Sequence, residues 1–349
     1  MGHLRILVLG YFANTTKRLD GQIAKTKEIY NLISIHNKDK WQLDCFDTEL
    51  FKYKKWAVII LFLKLLLCDR LIYLPGQNNL RKFGKLLYYY QRLRNFSVIY
   101  IGIGGWLVDF LVQNPSYVKI FRRYTSIMVE NSSVVENLKS VYNFTNAICV
   151  PNFRIHNYIP QLNNSNDRKF RIVFMSRIMR DKGIDTVFAI IENLKEYGFL
   201  EKVELMFYGP LSKKKEEQLY FEENLAKYNN VQYGGVLQMN DIYITLNKYD
   251  VMLFPSRYEG EGFPGAILDA FISGIPVIAS NWKYNSSIIQ SGYNGIICSH
   301  NDIQEYIDAL KILMLDKEIL LKMKVNAYES SQKYSSDEVW KELSLLLNS

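Results

Sequence analysis

The chain has 349 residues, more than one hydrophobic core usually supports, so its length predicts two domains. Hydrophobic residues make up 48% of it, and the net charge is +8. The longest apolar run, residues 56–68, contains Lys64 and is too short to span a bilayer, which takes about 20 residues. Arg5 interrupts the first apolar run, so we expect no secretory signal.

Cysteine and histidine are scattered. The four cysteines form no CxxC pair, and no metal-binding cluster or Ser-His-Asp arrangement can be argued from the four histidines. We therefore expect no metal site. We expect buried free thiols in a reducing cytoplasm at Cys45, Cys68, Cys149 and Cys298.

Strand and helix patterns alternate through the first half of the chain. The periodicity predicts strands at residues 5–9, 41–46, 70–74, 96–101, 127–129 and 147–150. It predicts helices at residues 22–35, 55–67, 80–94, 106–111 and 132–141. This alternation is typical of a doubly wound parallel sheet.

Positive charge is concentrated in the first half. Residues 1–160 contain 22 lysines and arginines against 10 acids, and the segment from Lys52 to Arg94, which includes Lys55, holds only one acid, Asp69. Aromatic residues are interleaved with these cations. Such a segment suits an anionic membrane surface, where each cation contributes about 1 kcal/mol. Nucleic acid or a solvated face without a partner would also fit; we favour the membrane and expect no nucleic acid.

A polar stretch, residues 161–169, has the composition of a linker, with Asn163, Asn164 and Asn166. We therefore place the domain boundary at residue 160. Beyond it, strands are predicted at residues 171–175, 203–208, 231–233, 251–254, 275–279 and 295–298. Helices are predicted at residues 184–197, 213–228 and 265–272, followed by a helical remainder from 302 to 347.

The segment from Phe254 to Ser280 predicts a βαβ unit with a glycine-rich loop. Its loop would lie at the carboxyl edge of the sheet, where open α/β sheets bind ligands. Two acids, Glu261 in the loop and Asp269 in the helix, can face the same crevice and accept hydrogen bonds from sugar hydroxyls. The alternative is that both are ordinary surface charges.

The pattern from Pro255 to Ile278 resembles the donor-site signature of the retaining family-4 glycosyltransferases of GT-B fold. In that family an acid, seven residues and a second acid mark the nucleotide-sugar site, and Glu261 and Asp269 match this spacing. The second acid is usually Glu, so Asp269 is a departure with a shorter reach. Glu259 is a rival for the first position, but the spacing favours Glu261.

The resemblance also implies two cations for the donor diphosphate, and Arg177 and Lys182 match them. Fixed cations stabilise the charge that a leaving diphosphate develops, whatever the family. Arg180 is a rival by residue type, and Lys182 could instead be solvated ahead of the following helix.

Further binding residues are implied by the same resemblance. Gly21 would let the backbone approach the ligands, and Val236 would contact the nucleotide base. The loop and helix start formed by Gly262, Phe263, Pro264 and Gly265 would also bind the donor, with help from the backbone N–H groups around them. Gly104, Gly105 and Trp106 would shape the acceptor side or form a packing turn.

The resemblance implies an α/β fold of the GT-B type, with two Rossmann-like doubly wound parallel-sheet domains facing a cleft. Residues 1–160 would form the acceptor-side domain and residues 161–336 the donor domain. A last helix, residues 337–349, would pack back on the N-terminal domain through Val339, Leu343 and Leu346.

The activity implied is retaining transfer of a hexosyl group from a nucleoside diphosphate sugar to an acceptor hydroxyl, without a metal cofactor. The acceptor would be a glycan on polyprenyl diphosphate, used in capsule or lipopolysaccharide synthesis at the cytoplasmic face of the plasma membrane. A phosphorylase or nucleotide-sugar epimerase of the same fold, or a non-catalytic sugar-nucleotide-binding subunit, are the alternatives.

Overall fold

A computed structural model describes residues 4–16, 20–54, 56–162 and 168–348. Lys55 and the predicted linker residues Asn163, Asn164 and Asn166 lie outside these ranges. The chain divides into two compact units. The first contains Met1–Ile155 and Tyr334–Ser349, and the second contains His156–Lys333.

The first unit is built on a parallel sheet. Its strands, within the described residues, are β1 Leu4–Gly10, β2 Trp41–Asp47, β3 Arg70–Leu74, β4 Ser97–Ile101, β5 Ser126–Val129 and β6 Ala147–Cys149. They lie in the order β2-β1-β3-β4-β5-β6. All five residues of β3 are buried, as expected for a strand with both faces covered.

Helices alternate with these strands. They are α1 Gly21–His36, α2 Ala57–Leu67, α3 Gln77–Arg94, α4 Leu107–Gln113, α5 Val118–Arg123 and α6 Ser132–Tyr142. Most predicted bounds agree with these to within three residues. Polar side chains fix several ends: Asp20 accepts a hydrogen bond from Ile23 N at the start of α1, and Asn95 and Asn143 end α3 and α6 in the left-handed conformation.

The second unit contains another parallel sheet. Its strands are β7 Phe170–Met175, β8 Val203–Tyr208, β9 Val231–Tyr233, β10 Val251–Phe254, β11 Val277–Ser280 and β12 Gly295–Cys298. In the part of the chain that the structure describes, their order is β12-β11-β10-β7-β8-β9. The order reverses between β7 and β10, which pair directly through Val251 and Ile172. The predicted class of two doubly wound α/β units is confirmed.

The helices of the second unit are α7 Ile184–Glu196, α8 Lys215–Leu225, α9 Ile242–Leu246, α10 Gly265–Ile272, α11 Asn285–Ile288, α12 Ile303–Leu315 and α13 Lys317–Ser331. Their apolar faces pack on the sheet in a core that includes Ile172, Phe207 and Leu253. Asp302 and Asp316 cap α12 and α13 by accepting hydrogen bonds from backbone N–H groups of the first turn.

The last helix, α14 Ser336–Asn348, belongs to the first unit. Val339, Leu343 and Leu347 are buried in the core that contains Ile72 and Ile99. The predicted apolar stripe used Leu346 as its third residue, but Leu346 is only partly buried. Positions 339, 343 and 347 are four residues apart and share one helical face, so Leu347 is the third core residue.

The prediction of four buried thiols is wrong in part. All four cysteines are free; Cys68 and Cys298 are buried, whereas Cys45 is partly exposed and Cys149 is exposed. Cys149 ends the edge strand β6, which has a neighbouring strand on one side only. An edge strand leaves part of its surface uncovered, which explains the exposure.

The packing of α14 predicts a stability difference between two leucines. Leu343 is 0% exposed and Leu345 is 68% exposed. Leu343→Ala should lower the free energy of unfolding of the first unit by about 2–5 kcal/mol, because it removes buried methyl groups and leaves a cavity. The matched variant Leu345→Ala should change it by less than about 0.5 kcal/mol. Urea unfolding measures both; equal effects would mean that α14 does not pack as described.

Candidate active site

Two loops meet at the point where the strand order of the second unit reverses. One follows β7 and runs from Ser176 to Gly183, and the other follows β10 and runs from Pro255 to Pro264. Because β7 and β10 are parallel neighbours, both loops leave the same edge of the sheet. This is where open α/β sheets bind ligands, so the fold itself marks the site.

Gly183 allows the two loops to approach each other. It follows a short 3-10 turn, Arg180–Lys182, and has φ +88° at the entry to α7. A Cβ atom at this position would lie 2.2 Å from the carbonyl oxygen of Pro255. Any side chain here would push the β7 loop away from the β10 loop, so glycine is required by contact as well as by φ.

Polar contacts also join the loops. The backbone N–H of Arg257 donates to the carbonyl oxygen of Asp181 at 2.9 Å. Its guanidinium makes two parallel hydrogen bonds to the carboxylate of Asp185, at 3.0 and 2.5 Å. Bidentate pairs of this kind fix orientation as well as distance. The cradle formed by the two loops is therefore held from both the backbone and a side chain.

Lys182 and Glu261 form an ion pair at the centre of the cradle. Lys182 is 8% exposed and Glu261 is 6% exposed. Ser256 Oγ donates to the same carboxylate oxygen, Glu261 Oε1, at 2.7 Å. Burial lowers the pKa of Lys182, and the adjacent Glu261 carboxylate opposes that shift by favouring the charged amine. The site thus holds a desolvated cation and a fixed carboxylate in direct contact.

The ring of Tyr258 lies beside Arg177 and Lys182, the two residues predicted to bind the donor diphosphate. Arg177 Cζ is 4.8 Å and Lys182 Nζ is 4.4 Å from the ring centroid, within the range of cation–π attraction. Trp282 Nε1 donates to the carbonyl oxygen of Tyr258 at 3.0 Å and fixes its backbone. Arg177 is exposed, so its guanidinium can contact a ligand from solvent.

The predicted helix-side residues lie at the end of the β10 loop. Gly262, Phe263 and Pro264 are buried, and Pro264 stands at the N-cap, immediately before Gly265 begins α10. Asp269, in the second turn of α10, is 5% exposed. Its burial argues against the alternative of an ordinary surface charge.

The two rival residues belong to the same loops, but their side chains pair with residues outside them. The side chain of Glu259 is 76% exposed and pairs with Lys283 at 2.7 Å. Arg180 pairs with Glu217 at 3.2 Å and stacks on Tyr220. The structure therefore brings together Arg177, Lys182 and Glu261 and separates them from these two rivals.

Other predicted residues are not part of this cluster. Val236 follows the edge strand β9 and is 44% exposed. Gly21 is the first residue of α1 in the first unit. The turn around Gly104 packs on its own unit: Gly104 N donates to Glu130 at 3.3 Å, and Trp106 Nε1 donates to the carbonyl oxygen of Ile103 at 2.7 Å. These contacts favour a packing turn over an acceptor surface.

A separate cavity of about 600 Å³ lies in the second unit and includes Arg171, Glu204 and Asn230. Arg171 and Glu204 are the second residues of β7 and β8, respectively, at the amino edge of the sheet. The cavity is therefore on the edge opposite the two loops and contains none of the predicted site residues.

Within the described residues, no group of three or more His, Cys, Asp or Glu side chains could hold a metal ion. No helix in the same ranges combines the length and apolar character needed to cross a membrane.

Residues 157–330 match the family described as Glycosyl transferases group 1. A segment of 78 residues is 38% identical to the Escherichia coli UDP-Gal:alpha-D-GlcNAc-diphosphoundecaprenol alpha-1,3-galactosyltransferase. The segment covers 22% of this chain and 20% of that relative. The chain spans between 10% and 34% of the length of three curated relatives that it matches.

Solved structures share the architecture across nearly the whole chain. Sucrose-phosphate synthase from Thermosynechococcus elongatus aligns with a TM-score of 0.79 at 14% identity, covering 99% of this chain and 98% of that one. The Anabaena protein HepE, in complex with UDP and glucose, aligns with a TM-score of 0.75 at 14% identity, covering 99% and 100%. At this identity the likeness establishes the fold.

The close approach of the loops predicts a difference between two glycines with positive φ. Gly198, at φ +71°, has open space where a Cβ would be, whereas Gly183 meets Pro255. Gly198→Ala should cost about 1 kcal/mol through backbone strain alone. Gly183→Ala should cost several times as much in thermal unfolding, because the loops must separate. Equal losses would show that the contact with Pro255 is not limiting.

Proposed function

Because residues 157–330 belong to the family Glycosyl transferases group 1, we propose that the protein is a retaining glycosyltransferase. It transfers a hexosyl group from a nucleoside diphosphate sugar to an acceptor hydroxyl. The observation that carries this proposal is the ion pair of Lys182 and Glu261 at the point where the strand order reverses. It provides a cation for a leaving phosphate and a carboxylate for sugar hydroxyls in one place.

Arg177 and Lys182 bind the donor diphosphate in this proposal. Negative charge grows on the diphosphate as the bond to the sugar breaks, and cations fixed beforehand stabilise that charge without reorganising. Tyr258 supports this role because its ring is close to both cations. The backbone N–H groups of Gly262, Phe263 and Gly265, before and at the start of α10, supply further hydrogen-bond donors for phosphate oxygens.

Glu261 holds hydroxyl groups of the donor sugar and stabilises positive charge that develops at the anomeric carbon. Its hydrogen bond with Ser256 and its ion pair with Lys182 support this assignment, because they fix the carboxylate before the donor binds. Asp269 binds the ribose, with one methylene less reach than glutamate. Backbone at Val236 contacts the base, and Gly21 allows close approach of ligand on the acceptor side.

We propose front-face attack for the transfer. The acceptor oxygen bonds to the anomeric carbon on the face that the diphosphate leaves, the bond from that carbon to the phosphate oxygen breaks, and the departing phosphate oxygen takes the acceptor proton. The products are the glycosylated acceptor and the nucleoside diphosphate. In this scheme Arg177, Lys182 and the start of α10 neutralise the leaving group without a metal ion.

The proposed acceptor is a polyprenyl diphosphate-linked glycan in surface polysaccharide synthesis. The E. coli relative acts, by its name, on a diphosphoundecaprenol-linked sugar, which supports this substrate class. A substrate of that kind is confined to a membrane. We therefore place the protein peripherally at the inner face of the plasma membrane, where the basic segment from Lys52 to Arg94 favours anionic lipid.

A thermal-shift screen of UDP, GDP, ADP and dTDP tests the donor class first. A nucleotide present at 100 times its dissociation constant should stabilise the second unit by about 2.7 kcal/mol. UDP is the first choice because the Anabaena neighbour is in complex with UDP. No stabilisation by any of the four would contradict the proposal.

Three variants test whether Arg177 and Lys182 bind the diphosphate. Arg177→Ala and Lys182→Gln should each weaken binding of the best nucleoside diphosphate at least tenfold, or about 1.4 kcal/mol, by isothermal titration calorimetry. The glutamine can still donate a hydrogen bond to Glu261. Arg180→Ala is the control, because Arg180 pairs with Glu217 and should not contact the ligand. Wild-type affinity in the first two variants would remove both residues from the site.

The two loop carboxylates give opposite expectations. Glu261→Gln keeps the size of the side chain and removes its charge, so turnover should fall roughly a hundredfold or more, while the nucleoside diphosphate still binds. Glu259→Gln should leave turnover nearly unchanged, because Glu259 is exposed and pairs with Lys283. The reverse outcome would place the acid motif two residues earlier.

A further inference from the structure

We propose that the outer face of α2, together with the adjoining face of α3, is the surface that docks on an anionic lipid bilayer. We call it the α2–α3 face. It consists of large hydrophobic side chains that are between 43% and 83% exposed: Trp56, Ile59, Leu63, Leu66, Leu67, Leu86, Tyr89 and Leu93. An exposed apolar surface of this extent on a soluble domain marks an interaction site.

The helix α2 is apolar on both sides. Its inner face buries Ala57, Leu61 and Leu65, which is sufficient to attach it to the first unit. Its outer face carries Ile59 and Leu63 where a surface helix normally has polar residues. Eleven residues make a helix of only about 16 Å, so α2 lies along a membrane surface and does not cross it.

The two helices form one continuous surface. The ring centroids of Phe62 in α2 and Tyr90 in α3 are 5.1 Å apart, and Tyr90 Oη donates to the carbonyl oxygen of Phe62 at 3.3 Å. Arg94 donates to the carbonyl oxygen of Leu66. These contacts hold the apolar side chains of both helices in fixed positions relative to each other.

The charge around the α2–α3 face identifies an anionic lipid surface as the partner. Exposed cations adjoin this face: Lys54 lies over the ring of Trp56, Arg94 is hydrogen-bonded to Leu66, and Lys52, Lys82 and Arg92 are on the same helices or on the segment before α2. Asp69 is the one acid between Lys52 and Arg94. A basic rim around aliphatic side chains matches headgroups outside and acyl chains inside. A protein partner fits less well, because protein interfaces are depleted in lysine. Nucleic acid also fits less well, because it offers no apolar surface to Ile59 or Leu63.

This inference rests on the membrane location in the proposed function and identifies the residues that produce it. The α2–α3 face belongs entirely to the first unit, whereas the residues proposed to bind the nucleotide belong to the second. Lipid binding and nucleotide binding can therefore be measured separately.

Flotation with lipid vesicles tests the proposal. One set of vesicles is pure phosphatidylcholine, and in the other about one lipid in three is the anionic phosphatidylglycerol. The full chain should bind the anionic vesicles and lose most binding on raising salt, because exposed charges are screened. Ile59→Ser/Leu63→Ser/Leu67→Ser should weaken binding to anionic vesicles at least tenfold. The control Ile35→Ser/Val112→Ser/Val141→Ser changes three hydrophobic residues of the first unit with similar exposure and should bind as wild type.

Equal binding to neutral and anionic vesicles, or equal binding by both triple variants, would overturn the proposal. So would a dimer in light scattering that only the α2-face variant abolishes, since a second copy would then be the occupant. Circular dichroism and the UDP thermal shift check that each variant is folded. A wild-type protein that binds vesicles but no nucleoside diphosphate would contradict the transfer reaction and leave the α2–α3 face standing.

Discussion

The ion pair between Lys182 and Glu261 determines the arrangement of the candidate site. It joins loops whose residues are 79 positions apart in the sequence. A buried charge without a partner is costly, so each loop is stable in its present place only while the other supplies the opposite charge. Gly183 permits the approach, and the pair of Arg257 with Asp185 maintains it. The cradle is therefore formed before any ligand binds.

Much of this arrangement could be predicted because it follows from short-range patterns. Alternating apolar runs and helical periodicity predicted the strands and the longer helices of both units, but not the short helices α5, α9 and α11. The spacing of Glu261 and Asp269 indicated a shared loop and helix. The choice between Glu261 and Glu259 also depended on spacing. The structure adds a physical reason: one carboxylate is buried against Lys182 and the other is exposed beside Lys283.

What could not be predicted depends on contacts between distant segments. Nothing in the local sequence shows that the Tyr258 ring lies beside Arg177 and Lys182, although Ser256 and Tyr258 stand within the motif itself. The exposure of Cys149 follows from the position of β6 at a sheet edge, which strand patterns do not reveal. The uniform apolarity of α2 hid which side faces outward, because periodicity carries information only when polar residues mark the other face.

The position of α14 has a consequence for the order in which the protein folds during synthesis. The strands of the first unit leave the ribosome early, but Val339, Leu343 and Leu347, which complete its core, leave after the entire second unit. Domains usually fold as they emerge, beginning with the N-terminal one. Here the second unit has all of its residues available first, while the first keeps apolar surface around Ile72 and Ile99 uncovered. A nascent chain of this protein therefore exposes apolar surface on the first unit until α14 is released.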